Sequence, residues 1–459
     1  MYDVCVVGGG PGGYVAAIRA AQLGAKVALI EKEKIGGTCL NWGCIPTKAL
    51  IASTSVLADI KNAASFGLQV DGYSYDFTKM MERKDKIVDQ LVGGIGFLLK
   101  KNNIDLFTGS ARLLSNQSVE VTSSTGKEIV EAKDIILATG SEAALIKALS
   151  YDGKQVITSK EALALSELPQ SLLVIGGGVI GCEFAMIFAE LGVEVYIVEA
   201  LERILPMVDE EISKRMTTYI KKKKIKVSTG TLISQVEVLS GKIKATLADG
   251  KEIEAEKALI SIGRTFNSAH LGLEEIGVEI GSRGEIVVDE FLKTNVEHVY
   301  AIGDVTNKVQ LAHVASAQGI VCVENLFKEG KQVAMKYDVV PSCIFTNPEI
   351  ATVGLTEAEA EQKGMAVSVG KFAFQASGKA LCIGHTEGFV KMVAEKGTDK
   401  ILGVHILGPH ATDLIAEGVL AIEQGITVEA LSKTIHAHPT LAECMMEAAE
   451  AVHGLSVHS

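Results

Sequence analysis

Two cysteines, Cys39 and Cys44, sit five positions apart in the run Gly-Gly-Thr-Cys-Leu-Asn-Trp-Gly-Cys-Ile-Pro-Thr-Lys at 36–48. On a regular helix such a pair would be separated by a rise of about 7.5 Å. That exceeds the roughly 7 Å Cα separation a disulfide tolerates. A distorted helix is therefore expected here, helped by Pro46, which has no N–H to donate. Thr38 is expected to cap its start, and a cysteine in the first turns would have its thiolate favoured by the unpaired amides. A bridge closing so short a loop would add only about 2 kcal/mol on the chain-entropy model, so it suits redox exchange better than stapling. Two unrelated buried thiols, or half of a metal site, are the other readings the spacing leaves open. A second constellation, His-Ala-His-Pro-Thr-Leu-Ala-Glu at 436–443, carries acid–base groups. Thiol–disulfide exchange needs a base for the attacking thiol and an acid for the leaving sulfur, and histidine suits both near neutral pH. Pro439 fits the first turn of a helix, which would put His438 at its mouth and let Glu443 fold back to orient the imidazole. His436 is the fallback base, and an ordinary helix start is the competing reading.

The elements around these residues read as seats for dinucleotides. Residues 2–31 run apolar strand, Gly-Gly-Gly-Pro-Gly-Gly, Ala-rich helix and second strand, with Gly8, Gly10 and Gly13 in the glycine positions and Glu31 at the end. Residues 172–199 repeat the pattern with Gly176, Gly178 and Gly181, ending at Glu199 at the same spacing. The glycines allow a tight turn and a close approach to a pyrophosphate, the helix N-terminus stabilises its charge, and the acid accepts from a ribose hydroxyl. Plain strand–helix turns are the alternative. Two matched copies imply two dinucleotides, and a redox dithiol beside them points to a flavin and a nicotinamide. A carboxylate at Glu199 would repel a 2′-phosphate, favouring NAD over NADP, although Arg203 lies close by. Residues 50–100 read as helices with turns at Gly67 and Gly72. Residues 104–140 alternate as strands, 226–262 as hairpin strands, and from about 340 strands give way to helices.

Taken whole, the 36–48 run resembles the active-site segment of the pyridine nucleotide–disulfide oxidoreductases, and within them the branch that oxidises dihydrolipoamide. The resemblance covers Tyr2 to about Val452. It implies an α/β chain with two Rossmann-like dinucleotide-binding domains and a C-terminal α+β dimerisation domain. The implied divisions are 1–145 (FAD), 146–265 (NAD), 266–340 (central, completing the FAD site) and 341–459 (interface). It implies FAD on the first fingerprint and NAD on the second. Cys39 would be the interchange thiol and Cys44 the flavin-side thiol, with Gly37 and Thr38 beside the cofactor and Lys48 reaching the flavin ring. Gly109–Ala111, through Ala111, would contact FAD by its backbone. The Ala138-Thr139-Gly140 turn would return the chain to the NAD domain. Asp304 would hydrogen-bond the ribityl chain, and Ala312 would offer its backbone near the isoalloxazine. In the second fingerprint Ile180 would gate the nicotinamide side and Glu183 would pair with Lys48. Val236 would contact adenine, and Gly263 belongs to an NAD-contacting loop. His438 would be the base for the disulfide of the other subunit, oriented by Glu443. Departures from the family pattern are Ala143-Ala144-Leu145-Ile146, where relatives carry prolines, and Phe345 and Asn347 at the interface.

Composition agrees with this reading. The 459 residues are 47% hydrophobic and 22% charged, a globular profile, and the net charge of −12 argues against nucleic acid or anionic membrane as partners. No apolar run approaches the roughly eighteen residues of a membrane span, and no leader is apparent before the first strand. The six other cysteines are scattered singly, as buried thiols of a reducing, cytoplasmic compartment would be. The expected partners are a lipoyl group on a carrier domain of a 2-oxo acid dehydrogenase or glycine cleavage complex, and a second copy in a homodimer. Glutathione reductase is the nearest rival. Glu199, Thr47 and the pair Leu441-Ala442 stand against it. Mercuric reductase and large thioredoxin reductase need C-terminal cysteines beyond Cys444, and soluble transhydrogenases lack one of the active-site pair. A flavin-bound interaction protein with incidental redox activity is the rival from another class.

Overall fold

The opening apolar run forms strand β1 (Tyr2–Val7), which turns through the glycines into helix α1 (Pro11–Gln22) and returns as strand β2 (Val27–Glu31). Val4, Cys5, Val6, Ala28 and Leu29 are fully buried, as parallel strands covered on both faces must be. In the computed structural model, which describes residues 1–328 and 330–458, the chain divides into two compact units. The first comprises Met1–Leu145, Thr158–Glu167 and Gly263–Lys336, and the second Ile146–Ile157, Leu168–Ile262 and Tyr337–Ser459.

In the first unit β1 lies parallel between β2 and the long strand Gly126–Leu137. That strand has two roles. Its later half also pairs in parallel with Val299–Ala301, while its earlier half runs antiparallel to Ser118–Ser123. One seven-stranded sheet thus combines a dinucleotide-binding core with a hairpin extension. Helix α1 packs against the helix Ala312–Phe327. A side chain has no room there, since a Cβ on Gly319 would lie 2.7 Å from the carbonyl oxygen of Gly12.

The second unit holds a five-stranded parallel sheet centred on Ser171–Ile175 and Glu194–Val198. Beside it in sequence is the antiparallel meander Ile233–Leu239, Lys242–Leu247 and Glu252–Ala255. The expectation of hairpin strands throughout 226–262 is met only by this meander. Lys226–Ser228 and Lys257–Ile260 instead join the parallel sheet, where Ala258, Leu259 and Ile260 are buried. An antiparallel five-stranded sheet with helices Ala411–Glu423 and Glu443–Val452 against it completes the unit. No helix among the described residues is long and apolar enough to cross a membrane.

The cysteines outside the 36–48 run divide by burial. Cys5, Cys182, Cys322 and Cys444 are buried, and burial pushes the Cys5 thiol up to about 12 and Cys444 to about 11. Such thiols are inert. The expectation of burial fails at Cys382, which is exposed on the short helix Gly378–Ile383.

A buried Lys391–Asp209 ion pair, joined by the more exposed Glu357, ties the second unit together. Lys391 Nζ stands 2.9 Å from Asp209 Oδ2 and 3.0 Å from Glu357 Oε2. Asp209 also caps the helix Glu210–Lys222 by accepting the Glu211 N–H. Burial alone would raise the Asp209 carboxyl, but the hydrogen bond and charge of Lys391 outweigh it and hold the group below its ordinary value. Burial would likewise lower the Lys391 ammonium, but its two carboxylates outweigh that and raise it.

Two outcomes are expected from this architecture. Gly319→Val should cost about 1–3 kcal/mol by overpacking, and an unchanged unfolding midpoint would contradict the close helix contact. The triad should give stability a plateau in pH. The Asp209 contribution is fully present above its ordinary pKa of 3.8 and lost as pH falls through its lower folded value. The Lys391 contribution is fully present below 10.5 and lost as pH rises through its higher folded value. Lys391→Met should cost about 3 kcal/mol at neutral pH by leaving Asp209 buried without its cation. It should also move the acid arm to higher pH in urea unfolding, whereas superimposable pH curves would remove the triad from the stability argument.

Candidate active site

The redox run folds as two helices, α2 (Gly37–Trp42) and α3 (Cys44–Lys61), with Gly43 between them at φ −139°, ψ −117°. A Cβ on Gly43 would lie 2.7 Å from the Thr38 carbonyl oxygen, so the chain closes here only without a side chain. Thr47 Oγ1 donates to the Gly43 carbonyl at 2.6 Å, and Asn41 Nδ2 donates to the Gly37 carbonyl at 2.9 Å. These bonds fix both sides of the break. Two expectations are corrected. The distortion belongs to Gly43, because Pro46 lies inside the first turn of α3, where it disturbs nothing. Thr38 is not the cap, because α2 already begins at Gly37 after a left-handed Gly36, and no side chain caps it.

Cys39, half-buried in α2, and Cys44, exposed at the start of α3, are brought within hydrogen-bond contact as two thiols. The Cys39 thiol is pushed up, first by its hydrogen bond to Cys44, then by burial and by the charge Cys44 would carry. Lys48 and the Cys44 backbone act in the opposite sense. Cys39 therefore holds its proton more tightly than an isolated thiol would. Such a dithiol can hold a thiolate on one sulfur and a proton on the other.

The glycine loop is docked on this segment. The Gly36 N–H donates to the Gly9 carbonyl at 2.8 Å, and a Cβ on Gly37 would lie 2.6 Å from the Gly10 Cα. Gly8 turns at φ +107°, and a Cβ on Gly13 would fall 1.8 Å from the Gly8 carbonyl oxygen. Glu31 Oε2 accepts the Gly9 N–H and Oε1 the Glu33 N–H, both at 2.7 Å. Each oxygen keeps a further lone pair for a ribose hydroxyl. The unpaired amides of the α1 N-terminus and this acid fit a dinucleotide pyrophosphate and ribose. Asp304, in the turn Gly303–Thr306 after the strand Val299–Ala301, belongs to the same unit, as do Ala111 and Ala312, the first residue of its helix. Thr139 and Gly140 are held by Asn267, which donates its Nδ2 to the Thr139 carbonyl and its N–H to the Gly140 carbonyl.

The second loop reproduces the first in the other unit. Gly176 turns at φ +106°, and a Cβ on Gly181 would lie 2.0 Å from its carbonyl oxygen. Glu199 accepts the Gly177 N–H at 2.6 Å and the Leu201 N–H at 2.8 Å. Gly178 and Ile180 stand at the N-terminus of the helix Val179–Glu190, and Glu183 within it is buried, accepting the Phe345 N–H at 2.9 Å. Val236 is buried, its carbonyl taking the Ser150 hydroxyl. Arg203 donates to the carbonyls of Val208 and Pro206, so its guanidinium is spent on its own loop.

The two histidines are also distinguished. His436, with 7% of its side chain exposed, has one ring nitrogen against Glu417 and the other against the Thr434 carbonyl. His438 has 79% of its side chain exposed, with Nδ1 2.9 Å from Glu443 Oε1. Because a carboxylate only accepts, Nδ1 carries a proton, an arrangement that in the neutral ring leaves the lone pair on Nε2. Burial would raise the Glu443 carboxyl, but the Thr440 N–H and His438 outweigh it and hold it below its ordinary value. One detail is corrected: the helix starts at Glu443, not Pro439, because the Glu443 carboxylate ties residues 438–440 into a turn ahead of it.

Cys39, Cys44, Lys48, Gly263 and the residues of the first fingerprint thus fall in one unit, and the second fingerprint, Glu183, Glu199, His438 and Glu443 in the other. Sequence reading gave no role to Ser141 or Asn267, and placed Arg264 only at the end of the segment that resembles an NAD-contacting loop. The signal for Ser141 was its adjacency to Gly140, and Asn267 had none.

Residues 2–319 match the family described as pyridine nucleotide-disulphide oxidoreductase, and residues 340–449 match its dimerisation domain. A dihydrolipoyl dehydrogenase of Bacillus subtilis is 45% identical, over 100% of this chain and 99% of its own. The mitochondrial dihydrolipoyl dehydrogenase of Pisum sativum is 43% identical over 99% and 92%. Among solved structures, LpdA of Mycobacterium tuberculosis superposes with a TM-score of 0.92 at 27% identity, over 97% of this chain and 99% of its own. The flavoprotein disulfide reductase RclA of Escherichia coli superposes at 0.89 with 27% identity, over 98% and 99%. A dithiol docked on one of two matched dinucleotide loops is thus accompanied by full-length likeness, and the chain belongs to the pyridine nucleotide–disulphide oxidoreductases.

Proposed function

We propose that this chain oxidises a protein-bound dihydrolipoyl group to its cyclic disulfide and delivers the electrons to NAD, using FAD and a Cys39–Cys44 disulfide. The observation that carries the reading is the contact of Cys39 with Cys44 on the segment docked against the first glycine loop. The names of the full-length relatives supply the substrate class.

In the oxidised protein the two sulfurs form the disulfide. A substrate thiol loses its proton to His438 Nε2 and attacks Cys39, forming a mixed disulfide and releasing Cys44 as a thiolate. The second substrate thiol then passes its proton to the Cys44 thiolate and attacks the substrate sulfur of the mixed disulfide, expelling Cys39, which takes back the proton held by His438; the products are the cyclic lipoyl disulfide and the protein dithiol. Glu443 holds the imidazole in the tautomer this requires. Lys48 offsets the thiolate charge, consistent with its lowering effect on Cys39. FAD, when bound, supplies a two-electron acceptor for the dithiol and a hydride donor for NAD. Gly8, Gly10, Gly13 and Glu31 would hold the adenosine and pyrophosphate of FAD, with Asp304 on the ribityl chain. Gly176, Gly178, Gly181 and Glu199 would hold NAD, and Ile180, Glu183, Val236 and Gly263 would line its site. Arg203 has its guanidinium drawn to the Val208 and Pro206 carbonyls, away from the role of a 2′-phosphate clamp, which supports NAD over NADP. A second copy, joined through the dimerisation domain, would receive the exposed His438 at its disulfide. The free and mostly buried thiols fit a cytoplasmic setting, and the substrate would arrive on a lipoyl carrier of a 2-oxo acid dehydrogenase or glycine cleavage complex.

The deciding assay is the initial rate of NAD reduction by dihydrolipoamide, with NADPH and glutathione disulfide as the paired control. Turnover in the first alone is expected, and turnover in the second alone would make the chain a glutathione reductase. His438→Gln should lower kcat about 10²–10⁴-fold, with Glu443→Gln causing a smaller fall and full FAD content in both. A fully active His438→Gln would remove the assigned base.

A further inference from the structure

We propose that Ser141 and Arg264 are positioning residues for the flavin, acting through Asp304. The inference rests on the reading that Asp304 meets the ribityl chain of FAD, and it explains what aims that carboxylate. Arg264 Nε donates to Ser141 Oγ at 2.6 Å, and its Nη2 donates to the Ser141 carbonyl, also at 2.6 Å. Ser141 Oγ in turn donates to Asp304 Oδ2 at 2.5 Å.

The direction of this relay is fixed by chemistry. A guanidinium has only donors, so the serine hydroxyl must accept from it, and its single proton is then committed to the carboxylate. Arg264 Nε also stands 3.7 Å from Oδ2, adding charge attraction at the same oxygen. The site is sheltered, since Ser141 is buried and the Arg264 side chain is 17% exposed, and hydrogen bonds to a charged group are stronger there than in water. Oδ2 is thereby occupied from the protein side, and Oδ1 is left as the acceptor for a ribityl hydroxyl. The backbone reinforces the arrangement. Ser141–Ala143 pairs antiparallel with Arg264–Phe266, with Arg264 opposite Ala143. Three segments distant in sequence therefore set one carboxylate.

The test is the rate of FAD release from the holoenzyme, followed by flavin fluorescence, together with FAD binding to the apoprotein. Ser141→Ala should release FAD at least about tenfold faster, the loss of one hydrogen bond to a charged acceptor. Ser141→Ala combined with Asp304→Asn should release it no faster than Asp304→Asn alone, because the serine acts only through the acid. Arg264→Lys, which keeps the charge but loses the two-point grip on Ser141, should show the same non-additivity and replaces the serine variant if that one does not fold. Release from Ser141→Ala at the wild-type rate would overturn the proposal. So would multiplicative effects in the double variant, which would mean a structural role independent of Asp304. A wild-type protein that takes up no FAD would overturn the cofactor reading itself, and this proposal with it.

Discussion

The chemistry depends on the interruption of one helix. Continuous α-helix from Gly37 to Lys61 would hold Cys39 and Cys44 too far apart along the axis to join. The backbone reversal at Gly43, possible because no Cβ stands between it and the Thr38 carbonyl, brings the sulfurs into contact instead. Once they touch, each raises the cost of ionising the other, and Lys48 works against that cost. A proton, a thiolate and a disulfide thus become nearby states of one short segment.

The same segment also supplies a wall of the nucleotide loop. Gly37 packs on Gly10, and the Gly36 N–H is used on Gly9, so the redox pair and the first glycine loop are one construction. The second loop repeats the φ angles and the carboxylate–amide bonds of the first almost atom for atom, without a dithiol beside it. This difference in neighbours is consistent with one dinucleotide exchanging electrons with sulfur and the other carrying them away.

Environment sorts residues of one type into different roles. Four cysteines lie in the core with their thiols pushed up or sealed from solvent, while Cys39 is half-buried and Cys44 exposed. His436 has both ring nitrogens engaged and is nearly buried, whereas His438, two residues on, presents one nitrogen outward with Glu443 behind the other. Arg203 turns its charge to its own loop, while Glu199 turns its carboxylate to the glycine loop, accepting the Gly177 N–H.

Much was legible in the chain because it depends on local rules. The strand–glycine–helix–strand–acid order, the cysteine spacing and the His-Pro-Thr-x-x-Glu wording each encode nearby geometry, and the structure keeps that geometry. Errors arose where a local rule met a tertiary alternative. Pro46 was a reasonable breaker, but it fell in a first turn that tolerates proline, and the packing of Gly43 on Thr38 made the break. Pro439 suggested a helix start, but the Glu443 carboxylate drew its own N-terminal residues into a turn and delayed the helix. Lys226–Ser228 and Lys257–Ile260 alternate like hairpin strands, but burial drew Lys257–Ile260 into the interior of a parallel sheet, and Lys226–Ser228 pairs along its edge. Residues with no signature of their own, Ser141, Arg264 and Asn267, acquired their roles only because long-range pairing set them beside Asp304, Thr139 and Gly140. The sequence determined which chemistry was available. Folding decided which atoms face it, because hydrogen-bond partners separated by more than a hundred residues leave no period or spacing to read.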